Sequence, residues 1–394
     1  MSNYHQKTIM KKIILFFVLI FSISTSNCLS QFSILNAEAD SLVLRGSDYI
    51  YNLEFENAKK CFVEVQTKFP EHPAGYFLDA MIEWWKILID KPNSNLYKNT
   101  FLNKIDKAIS VCDSLLTVNP ADINALFFKA GSIGYRARFY VEENSFVNAA
   151  KDGKTAYDLL ISCLKIAPNN RDIMLGTGIY NYFAAAIPEK YPIVKPLLLF
   201  LPSGDKVIGK MQLKAAANGA RYASVEAKVV LMQIYYMFEN RPHDCLPIIE
   251  ELHKRFPNNP YFKKYYARTL VRVGAWTLFE AVWREILNDC INKTYGYNND
   301  LARESMYYIG LALQRKGDYE MALRYFYKSD EGSRAIDKKG PSSFMAMTNL
   351  NIGKIYDKLG RRERAIYQYR KVLKMPNFNN SHSDAKRFIN EPFK

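Results

Sequence analysis

The stretch RGSDYIYNLEFENAKKCFVEVQTKFP, residues 45–70, holds the pattern that most restricts what this chain can fold into. Gly46 and Tyr49 lie three apart, and Ala58, Phe62, Val65 and Pro70 follow. Ala58, Phe62 and Val65 fall on one face of a helix, because residues three and four apart are neighbours on a helix surface. Gly46 and Ala58 are small where two helices must cross closely. Pro70 ends the second helix, since it lacks an N–H and its ring clashes with the preceding turn. The stretch therefore predicts two helices joined by a short turn.

The pattern recurs. Ala108, Cys112, Leu115 and Pro120 repeat the second helix, as do Ala156, Leu160, Cys163 and Pro168. Cys245, Ile249, Leu252 and Pro257 repeat it again, preceded by Tyr236. IGLALQRKGDYEMALRYF carries Gly310, the turn Gly317-Asp318-Tyr319, Ala322 and Phe326. IGKIYDKLGRRERAIYQYRKV carries Gly353, Tyr356, Gly360, Ala365, Tyr369 and Val372. One further unit, with Gly274, Trp283 and Ile286, has bulky Phe279 where a small residue is usual. This spacing resembles the tetratricopeptide repeat (TPR), a helix–turn–helix unit of about 34 residues. The resemblance implies an all-α, right-handed superhelical solenoid of about eight TPR-like helix–turn–helix units between Ala39 and Asn379. A polar closing helix is expected near Ser383–Phe388. The units divide into an N-terminal array with insertions, residues 31–259, and a C-terminal array with its closing helix, residues 260–394. Three loop insertions interrupt the array, at Asp90 to Thr100, Arg136 to Phe146 and Ile187 to Lys206. The segments EHPAGYFLDAMIEWWKILID and GIYNYFAAAIPEKYPIVKPLLLFLPSGDK, in that order, are similar to an exported bacterial envelope family of TPR proteins of undefined activity.

The N-terminus reads as a targeting segment. Lys11 and Lys12 precede the apolar run IILFFVLIF and the small polar stretch SISTSNCLS, the order of a secretory signal. The run is too short to span a bilayer, which takes roughly 20 helical residues. Residues 1–30 are expected to be removed after Ser30, with lipidation of Cys28 as the alternative. The expected location is the periplasm or the outer membrane, with peripheral association with the envelope membrane. The formal net charge is +15. In an exported chain this favours anionic surfaces of the envelope over nucleic acid, because no basic block interleaved with aromatics stands out. Beyond Cys28 the cysteines are Cys61, Cys112, Cys163, Cys245 and Cys290. Their odd count, long spacings and lack of a CxxC pair argue against a disulfide framework or a zinc site. They read as small buried hydrophobes, and no cofactor or metal is expected.

Two stretches imitate catalytic motifs. LLLFLPSGDKVIGKM, residues 197–211, has Gly204, four residues, then Gly209-Lys210, the spacing of a phosphate-binding loop. Such a loop needs a Ser or Thr after the Lys, but Met211 stands there. The repeat accounts for the same residues: Ser203 is predicted as a helix N-cap, with Gly209, Leu213 and Ala216 as the packing face of a second helix. AGSIG, residues 130–134, imitates a nucleophile elbow at Ser132, but the preceding NALFFK belongs to a helix rather than a strand. Glu142-Glu143 and Glu250-Glu251 are adjacent acids and read as solvated. Trp84 and Trp85 read as core.

First helices of stacked repeats line a concave groove. Val43, Ile50, Phe77, Met81, Trp84, Phe127, Leu175, Ile179, Tyr182, Val230, Ile234 and Met237 make its N-terminal part oily. Lys264, Arg268, Glu304, Gln314, Lys354 and Asp357 make its C-terminal part charged. An open oily groove is unfavourable in water. The apolar insertion Tyr191 to Leu201, with Leu198 and Phe200, is expected to lie in it against Trp84, Phe127, Tyr182 and Ile234. Partner contacts are then expected at Lys264, Arg268, Tyr307, Gln314 and Lys354. These readings suggest a non-enzymatic scaffold of the cell envelope that binds a protein or peptide. The alternatives are a carrier for an apolar, lipid-like ligand and an envelope enzyme whose site lies on the inserted loops.

Overall fold

The computed structural model describes residues 37–190, 192, 195 and 202–394. They form seventeen α-helices, in eight antiparallel pairs and a closing helix. The first four pairs are α1 (Ala37–Tyr51) with α2 (Phe55–Lys68), α3 (Ala74–Ile89) with α4 (Asn95–Val118), α5 (Ile123–Glu142) with α6 (Phe146–Ile166), and α7 (Arg171–Lys190) with α8 (Lys206–Gly219). The last four are α9 (Ser224–Gln233) with α10 (Pro242–Arg255), α11 (Pro260–Val273) with α12 (Trp276–Ile291), α13 (Asn299–Lys316) with α14 (Tyr319–Ile336), and α15 (Ser343–Lys358) with α16 (Arg362–Leu373). The closing helix, α17 (Ser381–Asn390), starts two residues before the expected segment and ends two residues after it. The all-α solenoid is thus as the repeat spacing predicts.

Local chemistry explains the pairs. The side chains of Asp122, Asn259, Asn298, Asp318 and Ser342 each accept an amide hydrogen at a helix start, satisfying donors that have no partner within the helix. The crossings depend on the glycines of the repeat. A methyl group on Gly46 would sit 2.4 Å from the Phe62 ring, and one on Gly353 would sit 2.4 Å from the Tyr369 ring. Phe279 is buried on α12, so the sixth unit tolerates the bulky residue at its crossing.

The phosphate-loop imitation lies on this framework. Asp205, not Ser203, caps α8: its carboxylate accepts from the amides of Val207 and Ile208 at 2.7 and 3.0 Å. The shift arises because α8 begins at Lys206, which puts Asp205 next to the unpaired amides. Gly209, Leu213 and Ala216 are buried against α7. A methyl group on Gly209 would lie 2.6 Å from the Tyr182 amide nitrogen and 2.9 Å from the Gly178 carbonyl oxygen. Both obstacles are backbone, which has no rotamer to yield. Gly209→Ala is therefore expected to cost about 1–3 kcal/mol, read as a lower urea midpoint. An unchanged midpoint would mean that α7 and α8 do not cross at this glycine.

Separation along the array matters as much as the pairs. In an open solenoid each unit touches only its neighbours. Here the first two units fold back onto the fifth and sixth. The Tyr51 ring lies 5.1 Å from Phe256, and Trp85 lies 5.6 Å from Phe262 and 5.9 Å from Tyr261. Buried Asn259 caps α11 and also donates to the Tyr51 carbonyl oxygen at 2.9 Å. Glu226 on α9 accepts from Trp85 Nε1 at 3.0 Å and from the Tyr51 hydroxyl at 3.3 Å. At the start of α1, Asp40 accepts from Arg221 Nε at 2.8 Å and from the Tyr222 hydroxyl. The loop carrying Arg221 and Tyr222 is pinned in turn by buried Asp172. Its carboxylate accepts the amides of residues 221, 222 and 223 at 3.2, 2.8 and 2.8 Å. Units one to six therefore close into one turn, with aromatic rings packed across the seam.

Candidate functional site

Beyond the seam, the inner face is built from tyrosine and arginine. α9 runs into a short π-helical segment, Ile234–Phe238, which presents Tyr236. Its ring lies 5.3 Å from Tyr265 on α11, and the Arg272 guanidinium sits 3.6 Å over it. One turn away, Arg268 donates twice to Glu304 on α13, at 2.5 and 2.6 Å. This two-pronged pairing suits the planar guanidinium. The face continues through Tyr308, stacked 4.8 Å over Trp283, and Tyr307, which lies 5.4 Å from Phe344 on α15.

Lys264 is the exception on this surface. Its ammonium sits 5.4 Å over Tyr261 and 5.3 Å over Tyr265. Among the described residues, no carboxylate lies within salt-bridge distance of it. Burial, then the positive charge of Arg268, push its amine down to about 8, while Glu304 pulls the other way. Burial likewise raises the Tyr265 hydroxyl, and that of Tyr307 to about 12, so both stay protonated donors at neutral pH. The surface offers hydroxyl and ammonium donors with aromatic faces between them.

The other residues singled out from sequence are placed as follows. Arg268 is engaged by Glu304 through two of its nitrogens. Gln314 is half-buried at the end of α13. Lys354 leaves this surface: its ammonium lies 5.4 Å over Phe388 and 5.3 Å over Phe393, beneath the closing segment. Asp357 also serves that segment, accepting from the Tyr369 hydroxyl, the Arg362 guanidinium and the Phe393 amide at 2.8, 2.8 and 2.9 Å. Trp84 is buried against Phe101 and Tyr135, and Tyr182 against Phe183 and Phe238. Ile234 is fully buried in the π segment, and Phe127 is half-buried beside Phe128. Tyr191, Leu198 and Phe200, with the expected seating of their insertion, lie outside the described residues, as does the leader with Cys28. The first two expected loop insertions are largely helical, because Asn95–Thr100 opens α4 and Arg136–Glu142 closes α5, and the lengthened helix ends meet: Lys91 pairs with Glu142 at 3.0 Å and Lys98 with Glu143 at 2.7 Å.

Sequence reading missed Glu226 and Tyr51 as a pair, because nothing in a repeat pattern links positions 175 residues apart. Ser132 is buried within α5, and no strand–turn–helix surrounds it. The described cysteines are free thiols, four of them buried. Burial pushes Cys112 and Cys163 up to about 12 and Cys245 up to about 11. No group of His, Cys, Asp and Glu among the described residues is arranged to hold a metal ion, and no described helix is long and apolar enough to cross a membrane.

Fold and surface together define a closed helical-repeat solenoid with an aromatic, basic inner face. Residues 348–379 match the tetratricopeptide repeat family. That match spans most of α15, α16 and the turn that follows, and the other seven helix pairs repeat its helix–turn–helix layout. Solved structures of similar layout include yeast Tom70, at 11% identity and a TM-score of 0.37, covering 90% of this chain and 89% of that one. The Cut9–Hcn1 hetero-tetramer of the APC/C matches at 12% and 0.40, covering 96% and 81%. A tetratricopeptide repeat protein from Parabacteroides merdae matches at 12% and 0.31, covering 79% and 99%. No curated protein matches the sequence.

Proposed function

We propose that this chain is a non-enzymatic scaffold of the bacterial cell envelope whose inner face holds a protein or peptide segment. The observation that carries the reading is Lys264: a half-buried ammonium over two tyrosine rings, with no carboxylate paired to it among the described residues. A buried charge without a counter-ion is costly, and an acidic or carbonyl group on a partner segment would relieve that cost. Tyr236, Tyr265, Tyr307 and Tyr308 are the side chains that would flank such a segment. Tyrosine and arginine are the residue types that dominate binding energy at protein interfaces. The envelope location rests on the leader pattern at Lys11 to Ser30, which intact-mass measurement of the native protein checks directly.

The test is photo-crosslinking in cells. A photo-reactive residue at position 264 is expected to capture a protein partner. The same residue at Lys59, exposed on the outer face of α2, is expected to capture none. Equal capture at both positions, or capture of lipid alone at 264, would overturn the reading. The amine supplies a second readout. In the folded chain it is held at about 8 against an ordinary 10.5. Between those values the unfolded chain binds the extra proton, so this group makes stability rise with pH across the window. A bound anionic segment favours the charged amine and should flatten that rise.

A further inference from the structure

Arg138, on α5 of the third unit, comes to the same tyrosine as Lys264 from another helix. Its guanidinium donates to the Gln233 side-chain oxygen at 3.3 Å, and the Gln233 amide donates to the Tyr261 hydroxyl at 2.7 Å. Lys264 lies over the ring of that same Tyr261, at 5.4 Å. The two cations therefore serve different ends of one side chain, Arg138 at the hydroxyl and Lys264 at the ring face. Both are half-buried, and among the described residues neither has a carboxylate within salt-bridge distance. A guanidinium carries five N–H donors and an ammonium three. The bond from Arg138 to Gln233 is long beside the about 2.7–2.9 Å of a charged pair, and the guanidinium otherwise rests 5.0 Å over the Trp84 ring. The carboxylates nearby are already taken. Glu142, one turn along α5 from Arg138, pairs with Lys91 at 3.0 Å, Glu304 receives Arg268 at 2.5 and 2.6 Å, and Asp300 pairs with Arg303 at 3.2 Å. Glu226 accepts from Trp85 and Tyr51 within the seam. Positive charge thus stays unmatched at both ends of Tyr261.

We propose that Arg138 and Lys264 together hold two carboxylates on one extended acidic segment of a partner protein. The proposal rests on the reading of Lys264 as a partner contact and adds a second point of attachment on α5. Two half-buried cations without counter-ions carry a desolvation cost, and a single small anion relieves one end of Tyr261 only. In an extended chain alternate side chains share a face and recur at about 6.6 Å. Two acids separated by one residue therefore reach both ends, while the residue between them points away. The planar fork of Arg138 receives one carboxylate on two N–H groups, and the Lys264 ammonium takes the other as a point charge. Because α5 belongs to the third unit and α11 to the sixth, the bound segment ties together two units that are not neighbours along the chain. A lone basic residue in the repeat pattern gives no sign of this, since Arg138 and Lys264 meet only through Gln233 and Tyr261.

Calorimetry of the full chain at neutral pH tests this. The probe is an end-capped octapeptide of alternating Glu and Ser. The comparisons are the same peptide with a single Glu, an octapeptide of alternating Lys and Ser, and inorganic phosphate. Wild type is expected to bind the acidic peptide, the single-Glu peptide more weakly and the basic peptide not at all. Arg138→Gln and Lys264→Met should each weaken binding of the acidic peptide by about tenfold or more, with circular dichroism verifying the fold. Arg138→Lys keeps the charge without the fork and should lie between wild type and Arg138→Gln. Lys59→Met, on the outer face of α2, should bind as wild type does. Undiminished binding by Arg138→Gln would overturn the inference, and a loss in Lys264→Met alone would then leave the partner contact at Lys264 standing without its second point. If wild type ignores the acidic peptide while position 264 still captures a protein in cells, the acidic class falls and the partner contact stands. Phosphate bound as tightly as the acidic peptide would make this a small-anion site, and the two-carboxylate segment would fall.

Discussion

Trp85→Ala is expected to lower the unfolding free energy by about 3–5 kcal/mol, the usual cost of emptying a large buried aromatic site. The Trp85 ring is buried and meets Tyr51 at 5.3 Å, Phe262 at 5.6 Å and Tyr261 at 5.9 Å. Its loss also deprives Glu226 of a donor held at 3.0 Å. A polar group left without its partner in a buried place adds to the cost. The same substitution at Trp283 serves as the control. That side chain is also fully buried, but it packs between adjacent units, against Tyr308. Both variants should melt earlier in urea. Only Trp85→Ala should also enlarge the radius of gyration in solution scattering, because only it sits on the seam joining units one and two to five and six. Expansion in neither variant would mean that other contacts, such as Asn259 with Tyr51, hold the ring closed alone.

The second large effect is expected at Arg268. Glu304 is 3% exposed and receives both of its short hydrogen bonds from this guanidinium. Arg268→Ala leaves a buried carboxylate without its paired cation, which typically costs about 3–5 kcal/mol. Replacing both residues with leucine removes the charge along with its partner and should recover most of that loss, since an apolar pair of similar volume often matches a buried ion pair. The measurement is a set of urea midpoints for Arg268→Leu, Glu304→Leu and the double-leucine variant. Additive losses in the double would show that the two residues stabilise the fold independently. The comparison also bears on function. A partner that needs the Arg268 head itself would fail to bind the double-leucine variant even though the fold recovers, whereas a partner held at Lys264 and the tyrosines would still bind.

The repeating unit was legible because every feature it needs is local. Gly46 opposite Phe62, Gly353 opposite Tyr369, and the prolines at the ends of second helices all report on neighbours within one unit. The cysteines followed from the same pattern, each occupying a position on a second helix where a small apolar side chain fits. The placement of Trp84 and Trp85 in the core was legible from composition, but their partners were not. The charged residues of the C-terminal units could be assigned to first helices, yet not to roles. Lys264 lies over Tyr261 and Tyr265 with no carboxylate paired to it among the described residues, Arg268 is claimed by Glu304, and Lys354 and Asp357 are taken up by the closing segment. Which of these holds depends on what the next helix presents opposite them.

By itself the sequence determined the helix pairs, their crossings and their stacking order, because these follow from a 3.6-residue period and from side-chain size within about 34 residues. Only the tertiary structure decided that the array closes. Small rotations between successive units accumulate along the stack, and no single unit records their sum. Three units of turning bring Trp85 to Glu226, 141 positions away, and five bring Tyr51 to Asn259, 208 positions away. At such separations no periodic signal links the partners, and the contact exists because the superhelix returns on itself at that point.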